Sequence, residues 1–304
     1  MSTNKQEALA ASVIIPTFRD WPGVAQCLAA LARQTLPAQR FEIIVVDNDA
    51  LHAPPPLPAG VRCLHQPTGF SYAARNAGAA VAQGRVLAFT DADCLPAPGW
   101  LQAGLAALDT HPQYALVSGR IEVFSPKPNV VFRYETLFEF QQQQWAEQRH
   151  FGATANLFVR RSAFDQLGGF DAGMKSGGDA DFGHRAGTLG LRLGYEAQAL
   201  VLHPSRNTIG EVLQKNRRIA TGFYGHMLRD ARGNRRRIWR DIGYWLRPRP
   251  REWLHILSGR RGSHRFALHQ RFGVLGLHML LHYHTGFCLL RSHLSRQRSD
   301  QGVR

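Results

Sequence analysis

Two aspartates, Asp91 and Asp93, stand two residues apart directly after an apolar run that ends at Thr90. Carboxylate oxygens are the hard ligands that magnesium and manganese prefer, often together with phosphate groups of a substrate. An isolated pair of this kind is more often a loop cap or a solvated turn than a metal site. The pair therefore predicts a divalent cation only if other segments bring further polar groups to the same place.

Short apolar and β-branched runs alternate with helix-forming stretches through the first part of the chain. Runs of this composition are typical of buried parallel strands. The alternation predicts an α/β protein with an open, mostly parallel sheet flanked by helices. We expect strands at 12–16, 41–46, 61–65 and 85–90, and helices at 21–33 and 71–83.

Polar residues follow three of these strands at the point where each strand ends. They are Thr17, the segment Asp47-Asn48-Asp49, and the segment Asp91 to Asp93. In open α/β sheets ligands bind at the carboxyl ends of the strands. The three polar clusters are therefore expected to meet at one edge of the sheet.

The alternation becomes less regular after this half, although helices and strands are still indicated. A flexible glycine-rich loop is expected at 173–178. We expect strands at 116–124, 152–160 and 195–203, a long helix at 130–148, a short helix within 162–171 and another helix at 179–189.

Several short motifs occur in a fixed order along residues 12–204. They are Ser12-Val-Ile-Ile-Pro-Thr-Phe-Arg-Asp20, Ile43-Ile-Val-Val-Asp-Asn-Asp49, Ala74-Arg-Asn-Ala-Gly78, Ala88-Phe-Thr-Asp-Ala-Asp-Cys-Leu-Pro96, Gly152-Ala-Thr-Ala-Asn156, Gly168-Gly-Phe-Asp171, Gly178-Asp-Ala-Asp181 and His203. Their order and spacing resemble the family 2 glycosyltransferases. The resemblance implies a GT-A fold over residues 12–204, preceded by a tail at 1–11 and followed by a basic, mainly helical extension at 205–304.

The resemblance also implies a nucleoside-diphosphate-sugar donor and inverting transfer of the sugar to an acceptor hydroxyl. Asp93 resembles the family's ligand for Mn²⁺ or Mg²⁺, and Asp91 would lie nearer the nucleoside. His203 matches a histidine that often completes the metal sphere, although a single histidine is more often a satisfied core or loop residue.

Four further residues resemble the family's donor site, together with Thr17. Asp47 and Asn48 would contact the base, and Asn48 stands where the family often has a second aspartate. Phe18 would stack on the base or simply belong to the core. Arg75 would lie near the base or diphosphate, the alternative being a solvated surface arginine.

On the acceptor side, Asp179 resembles the carboxylate that takes the proton of the attacking hydroxyl. Asp181 and Asn156 would contact the acceptor. The family commonly has a glutamate directly before this aspartate, and here Gly178 replaces it. The sequence leaves open whether Asp179 or Asp181 is the base, with Asp179 preferred by its position in the motif.

The positive charge of the chain lies in its last third. Residues 1–204 carry 16 basic and 17 acidic side chains, whereas residues 205–304 carry 21 and 5. Such a segment favours an anionic partner, and its mixture of arginines and tryptophans is typical of membrane surfaces. No recognisable nucleic-acid-binding module is present, so we expect no nucleic-acid partner.

One stretch of the extension, residues 272–290, has no formal charge and approaches the length of a membrane span. It contains three histidines and three glycines, which favour a packed or interfacial helix instead. His278 and His282 lie four residues apart and could hold zinc on one helical face, but no third ligand is indicated. A helix face against headgroups or protein is the preferred interpretation.

The four cysteines form no closely spaced pair, which favours a reducing compartment. No signal-peptide pattern is seen at the N-terminus. We therefore expect a cytoplasmic enzyme, peripheral on the inner face of the membrane, that builds a cell-surface polysaccharide or glycolipid on a saccharide or lipid-linked acceptor. The rival functions are a catalytically silent sugar or lipid binder on the same fold and a nucleotidyltransferase.

Overall fold

The computed structural model describes residues 9–231, 234–260 and 262–301. The chain divides into two compact units. The first unit comprises the described residues up to Glu122 together with Phe140–Pro204. The second unit comprises Val123–Glu139 and the described residues from Ser205 onwards. The second unit is thus built from two separate parts of the chain, and the sequence did not indicate that Val123–Glu139 belongs with the extension.

An eight-stranded mixed sheet forms the first unit. Its spatial order is β3-β2-β1-β4-β7-β6-β8-β5. Strands β1, β2, β3 and β4 pair in parallel, whereas β7 runs antiparallel to both β4 and β6. The strands are β1 Ala11–Thr17, β2 Phe41–Asp47, β3 Val61–His65, β4 Val86–Thr90, β5 Leu95–Pro96, β6 Tyr114–Phe124, β7 Asn156–Arg160 and β8 Arg192–Pro204.

The expected α/β fold with an open sheet is confirmed, and its parallel part is the half that carries the strand–helix alternation. All seven residues of β1 are buried, which explains the apolar run Val13–Pro16 at its centre. Its side chains alternate between two cores on opposite faces of the sheet: Val13 and Ile15 pack on one face and Ile14 on the other. Helices therefore cover both faces.

The helices of the first unit follow the predicted positions with two differences. The long helix expected at 130–148 is two helices, because Phe140 between them has a φ of 48°, outside the helical region. A helix after the Asp91 loop was not predicted. The helices are α1 Trp21–Leu31, α2 Ser71–Val81, α3 Trp100–Thr110, α5 Gln142–Arg149, α6 Arg161–Leu167 and α7 Gly178–Thr188.

The described part of the second unit is helical, as expected for the basic extension. Helix α11 packs against α8, α9, α4 and α10. Buried ion pairs tie α4 to the extension, among them Arg206 to Glu135 at 2.7 Å. The helices are α4 Val130–Phe138, α8 Ile209–Ala231, α9 Arg235–Leu246, α10 Pro250–Leu257 and α11 Leu268–Gln301.

Residues 272–290 lie inside α11, where Leu277, Leu281 and Leu289 are buried against neighbouring helices. Over the described ranges, none of the helices has both the length and the apolarity that a bilayer crossing requires. His282 bonds through Nε2 to the main-chain oxygen of Arg247 at 3.0 Å, and the His278 ring stacks on Phe138. These contacts are those of a packed helix, the interpretation preferred from the sequence.

Candidate functional site

Three potential metal ligands converge at one edge of the sheet. The ligand atoms of Asp91, Asp93 and His203, together with the Cys94 sulfur, all lie within 4.8 Å of one another. Asp91 and Asp93 follow β4, while His203 lies near the end of β8. The pairing of Leu95 with Leu202 places these two chain segments side by side. The structure thus brings together the two residues predicted as metal ligands, Asp93 and His203, from distant segments of the chain.

The hydrogen bonding of His203 fixes which ring nitrogen faces the carboxylates. Its Nδ1 lies 2.8 Å from the main-chain oxygen of Pro204. Because a carbonyl oxygen only accepts, Nδ1 carries the proton, and in the neutral ring the lone pair is on Nε2. Nε2 lies 3.8 Å from Asp93 Oδ2. The imidazole is therefore oriented as a metal ligand usually is, with its other nitrogen held by the protein.

The Phe140 ring lies against His203, with the ring centroids 4.6 Å apart. His203 is only 6% exposed, so this contact helps to close the ring off from solvent. Phe140 is also the residue whose positive φ separates α4 from α5. A strained backbone thus places an aromatic ring on the candidate metal ligand.

Negative charge is concentrated at this edge. Burial raises the pKa of the Asp93 carboxyl above its usual value; His203 opposes that shift, and the Asp91 and Asp20 carboxylates add to it. Two carboxylates and an imidazole suit Mn²⁺, which accepts both oxygen and nitrogen ligands. The donor set therefore fits the divalent cation that the sequence indicated.

Cys94 lies within the same group of atoms but suits a packing role. Its side chain is fully buried, and its sulfur lies 3.9 Å from the Ala155 main-chain oxygen. Burial raises the pKa of this thiol well above its usual value, with Asp91 and Asp93 adding to the shift. Because a thiol binds metal as the thiolate, these surroundings disfavour Cys94 as a ligand.

A chain of contacts links Asp91 to Asp179. The guanidinium of Arg75 pairs with Asp91, and it also lies 5.6 Å from the centre of the Tyr72 ring. The hydroxyl of Tyr72 donates to Asp179 Oδ1 at 3.2 Å. Arg75 is 3% exposed, so it is not a solvated surface arginine. Tyr72 was not predicted; its place in α2, one turn before Arg75, was the available signal.

Asp179 and Asp181 differ in their surroundings although both lie in the first turn of α7. Burial raises the pKa of Asp179, while Arg75 and the hydrogen bonds from Ala180 and Tyr72 oppose the shift. Asp181 accepts from Arg185 Nε at 2.9 Å, one helical turn along. Asp179 therefore has the features of a proton acceptor near the site, and Asp181 those of a paired surface acid.

Two buried polar atoms at the ends of β1 and β2 have no hydrogen-bond partner among the described residues. They are Thr17 Oγ1 and Asp47 Oδ2, and His65 Nδ1 lies 3.6 Å from the latter. Thr17 and Asp47 are paired in the register of the two strands. Because unpaired buried polar atoms are costly, such a pair indicates a place where a ligand bonds.

Phe18 and Asn48 lie beside this pair. The Phe18 side chain is 61% exposed, so it is not a core residue. Asn48 donates through Nδ2 to the main-chain oxygen of Gln66 at 2.5 Å, which leaves its side-chain oxygen as the group for a base.

An ion pair that the sequence did not indicate lies next to Phe18. Arg19 has a φ of 61° and donates twice to the buried Asp49, at 2.9 and 3.1 Å. This arginine holds the pKa of Asp49 well below its usual range, with His52 contributing. The Arg19 guanidinium also lies 5.0 Å from the centre of the Phe18 ring. The pair thus fixes the loop that presents Phe18.

Asn156, predicted to contact the acceptor, is fully buried. Its Oδ1 accepts from Trp100 Nε1, and its Nδ2 donates to the main-chain oxygens of Arg120 and Ala199, all at 2.8 Å. The side-chain amide of Asn156 is thus fully hydrogen-bonded and links β7 to α3, β6 and β8. It has no exposed atom that could contact an acceptor substrate. The acceptor-contact prediction is therefore corrected: Asn156 supports the site from beneath.

Comparisons with known proteins agree with this geometry. The family model described as Glycosyl transferase family 2 matches residues 12–168. The chain is 30% identical over 250 residues to glycosyltransferase AglE of Haloferax volcanii, covering 78% of this chain and 82% of that protein. It is 31% identical over 227 residues to the pre-mycofactocin glycosyltransferase of Mycobacterium tuberculosis, covering 70% of this chain and 46% of that protein.

Two solved structures share the fold at low identity. A mannosyltransferase from Pyrobaculum calidifontis, in complex with GDP-Man and Mn²⁺, has a TM-score of 0.54 at 16% identity, covering 94% of this chain and 75% of that one. GalNAc-T7 with UDP, GalNAc and Mn²⁺ has a TM-score of 0.51 at 17% identity, covering 66% of this chain and 45% of that one.

Proposed function

Because the chain belongs to glycosyl transferase family 2 and is a glycosyltransferase, we propose that it moves a sugar from a nucleoside-diphosphate sugar to an acceptor hydroxyl with inversion. One observation carries the proposal. Two carboxylates and an oriented imidazole meet at the sheet edge where Thr17 and Asp47 leave buried polar atoms unpaired. A nucleotide and a divalent cation are the two groups that these features suit.

In this proposal the nucleoside lies over the ends of β1 and β2. Asp47 Oδ2 accepts from the base or ribose, Thr17 Oγ1 bonds alongside it, and Asn48 offers its amide oxygen. The exposed ring of Phe18 stacks on the base. The Arg19–Asp49 pair keeps that ring in place.

The diphosphate lies towards Asp93 and His203, which would hold Mn²⁺ or Mg²⁺, while Asp91 faces the nucleoside. When bound, the cation stabilises the charge that develops on the leaving diphosphate. Arg75 holds Asp91 in position through its ion pair. The positive charge of Arg75 also lies close enough to oppose the rise in the pKa of Asp179.

Asp179 accepts the proton of the acceptor hydroxyl as the hydroxyl attacks the anomeric carbon. Its raised pKa makes its carboxylate a better base than an ordinary aspartate, while Tyr72 holds one oxygen in a fixed direction. Asp181 reaches the acceptor only if it leaves Arg185, so its proposed contact is secondary.

The test is metal-dependent binding of a panel of nucleotide sugars, measured by calorimetry. The wild type is expected to bind one donor in the presence of Mn²⁺, and Asp93→Ala is expected to bind it at least about tenfold more weakly. Asp109→Ala is the matched control. Asp109 is an exposed acid in α3 that pairs with Arg85, the residue directly before β4. Metal-independent donor binding that Asp93→Ala leaves unchanged would contradict the proposal.

We also propose that the acceptor is a saccharide or a lipid-linked saccharide of the cell surface, reached on the cytoplasmic side of an anionic membrane. The second unit supports this proposal by its charge: it holds 23 basic and 7 acidic residues. It also exposes large apolar side chains, including Trp239, Tyr244 and Phe287. Cations beside exposed aromatic rings suit an interface of anionic headgroups. Failure to bind anionic vesicles at low salt would exclude the membrane part alone.

A further inference from the structure

A polar pocket of about 390 Å³ lies in the first unit, along helix α5. Five of its lining residues are glutamines, Gln141–Gln144 and Gln148. Phe140 and Tyr195 line it as well, together with Arg120. We call this pocket the glutamine groove. Its volume falls in the range of small-molecule sites.

The glutamine groove adjoins the candidate metal site through one side chain. Phe140 lines the groove, and the same ring stacks on His203 at 4.6 Å. A molecule in the groove would therefore contact the residue whose ring covers a metal ligand.

The chemistry of the lining suits hydroxyl groups. A primary amide has an acceptor oxygen and two N–H groups, and a sugar hydroxyl both donates and accepts. Gln143 and Gln144 each donate to the residue one turn along α5, to Glu147 at 3.0 Å and to Gln148 at 3.2 Å. Each bond uses one N–H and orients the rest of the amide. The rings of Phe140 and Tyr195 add flat surfaces on which the faces of a sugar can pack.

The floor of the groove is rigid. Gln142 is 2% exposed; it donates to the main-chain oxygens of Gly119 and Asn156 and accepts from the Ala153 N–H at 2.7 Å. A fixed floor lowers the entropy cost of ordering the groove around a ligand.

The charge of the lining disfavours an anionic ligand. Arg120 is its one cation, and it pairs with Glu122 of the same lining. Glu147 adds a second carboxylate. A phosphate in the groove would meet more negative than positive charge, whereas an uncharged ligand loses nothing by this.

We propose that the glutamine groove binds the acceptor and that it selects a neutral, hydroxyl-rich saccharide. This inference rests on the proposed function, since it assigns an acceptor to the same reaction. The part of the acceptor that the enzyme recognises is then a sugar without a phosphate group.

Saturation-transfer NMR without donor tests the proposal, with maltose, cellobiose and mannobiose as neutral probes and glucose 1-phosphate as the charged probe. At least one disaccharide is expected to bind the wild type, and glucose 1-phosphate to bind more weakly. The double variant Gln144→Ala/Gln148→Ala removes two amides from the exposed side of α5 and is expected to lower disaccharide affinity about tenfold. Gln113→Ala is the matched control, because Gln113 is an exposed glutamine just before β6 that does not line the groove.

Three results would contradict the assignment of the groove as the acceptor site. No binding of any disaccharide, equal binding by the double variant, or preferred binding of glucose 1-phosphate overturns the groove as the acceptor site. Donor binding is measured separately on the wild type and on Asp93→Ala. If the wild type binds the donor with Mn²⁺ but binds no disaccharide, the groove alone is overturned. If the wild type shows no metal-dependent donor binding, the proposed function is overturned, and the acceptor assignment with it.

Discussion

The two units of the molecule differ in the sign of the charge that they concentrate. The first unit gathers carboxylates at the candidate site, and the second unit carries an excess of arginines. In the first unit, Asp91 and Asp93 follow the end of β4 and Asp179 lies in the first turn of α7. Asp91 pairs with Arg75, while burial raises the pKa of Asp93 and Asp179. In the second unit, buried acids are matched by bases, as in Glu135 with Arg206 and Glu139 with Lys215. Among the residues of that unit that the structure describes, many of the remaining arginines are exposed, for example Arg217, Arg240 and Arg251.

This difference fits the proposal that the first unit carries the chemistry and that the second unit attaches to a membrane. Crowded, half-buried carboxylates are costly unless a cation or a proton joins them, so they indicate a site that a ligand completes. Exposed arginines cost little and act through their summed field, which salt screens. The four predictions below test this contrast, from the largest expected effect to the smallest.

Replacing the base is expected to have the largest effect. Asp179→Asn keeps the size of the side chain but removes its ability to accept a proton, so the rate of transfer should fall about a thousandfold. Donor affinity should change less than about twofold, as measured by calorimetry. Asp181→Asn is the matched control in the same helical turn and should retain most of the transfer rate. Equal losses in the two variants would show that the surroundings of Asp179 do not set it apart.

Removing the buried hydrogen bonds of Asn156 is expected to lower the free energy of unfolding. Asn156→Ala removes the hydrogen-bond partner of the Trp100 N–H and one partner each of the Arg120 and Ala199 main-chain oxygens. Unsatisfied buried groups cost about 1–3 kcal/mol each, so the free energy of unfolding should fall by about 3 kcal/mol. Chemical denaturation measures it, with Asn207→Ala as the control, because Asn207 is exposed. A change below about 1 kcal/mol would mean that this network does not hold the strands.

Removing surplus cations from the second unit is expected to weaken vesicle binding without touching transfer to a soluble acceptor. Arg236 and Arg251 are exposed, and each arginine near an anionic surface is worth about 1 kcal/mol. Arg236→Gln/Arg251→Gln should therefore bind phosphatidylserine vesicles about thirtyfold more weakly in a sedimentation assay at low salt. The matched pair Arg33→Gln/Arg192→Gln removes two exposed arginines of the first unit and should bind as the wild type does. Similar losses in both pairs would remove the distinction between the units.

The smallest expected effect is a shift in pH dependence. Asp179 must be ionised to accept a proton, so activity is lost as pH falls through its raised pKa. The Tyr72 hydroxyl donates to this carboxylate and thereby lowers its pKa. In Tyr72→Phe the pKa should rise further, and the acid limb of the kcat/KM profile should move to higher pH. A shift to lower pH, or none, would show that Tyr72 does not act on the base.

Much of the fold could be predicted from local patterns. Strands β1 and β4 are short, mostly apolar and buried along their whole length, whereas β3 is largely exposed. Each predicted parallel strand agrees with the structure to within two residues at either end. The break at Phe140 could not be predicted, because a positive φ in a phenylalanine is imposed by tertiary packing and leaves no glycine as a signal. Val123–Glu139 joins the second unit for the same kind of reason: its partners lie far along the chain.

By itself the sequence determined the family, and it predicted the sheet edge of the candidate site and several of the residues that meet there, because motifs and strand ends can be read along the chain. Only the tertiary structure decided how those residues differ. Asp179 accepts a hydrogen bond from Tyr72, whereas Asp181 pairs with Arg185. The side-chain amide of Asn156 is hydrogen-bonded inside the protein. Such distinctions depend on which polar atoms form hydrogen bonds with residues that are distant in the sequence. That pairing is settled by packing, and residue type and spacing do not specify it.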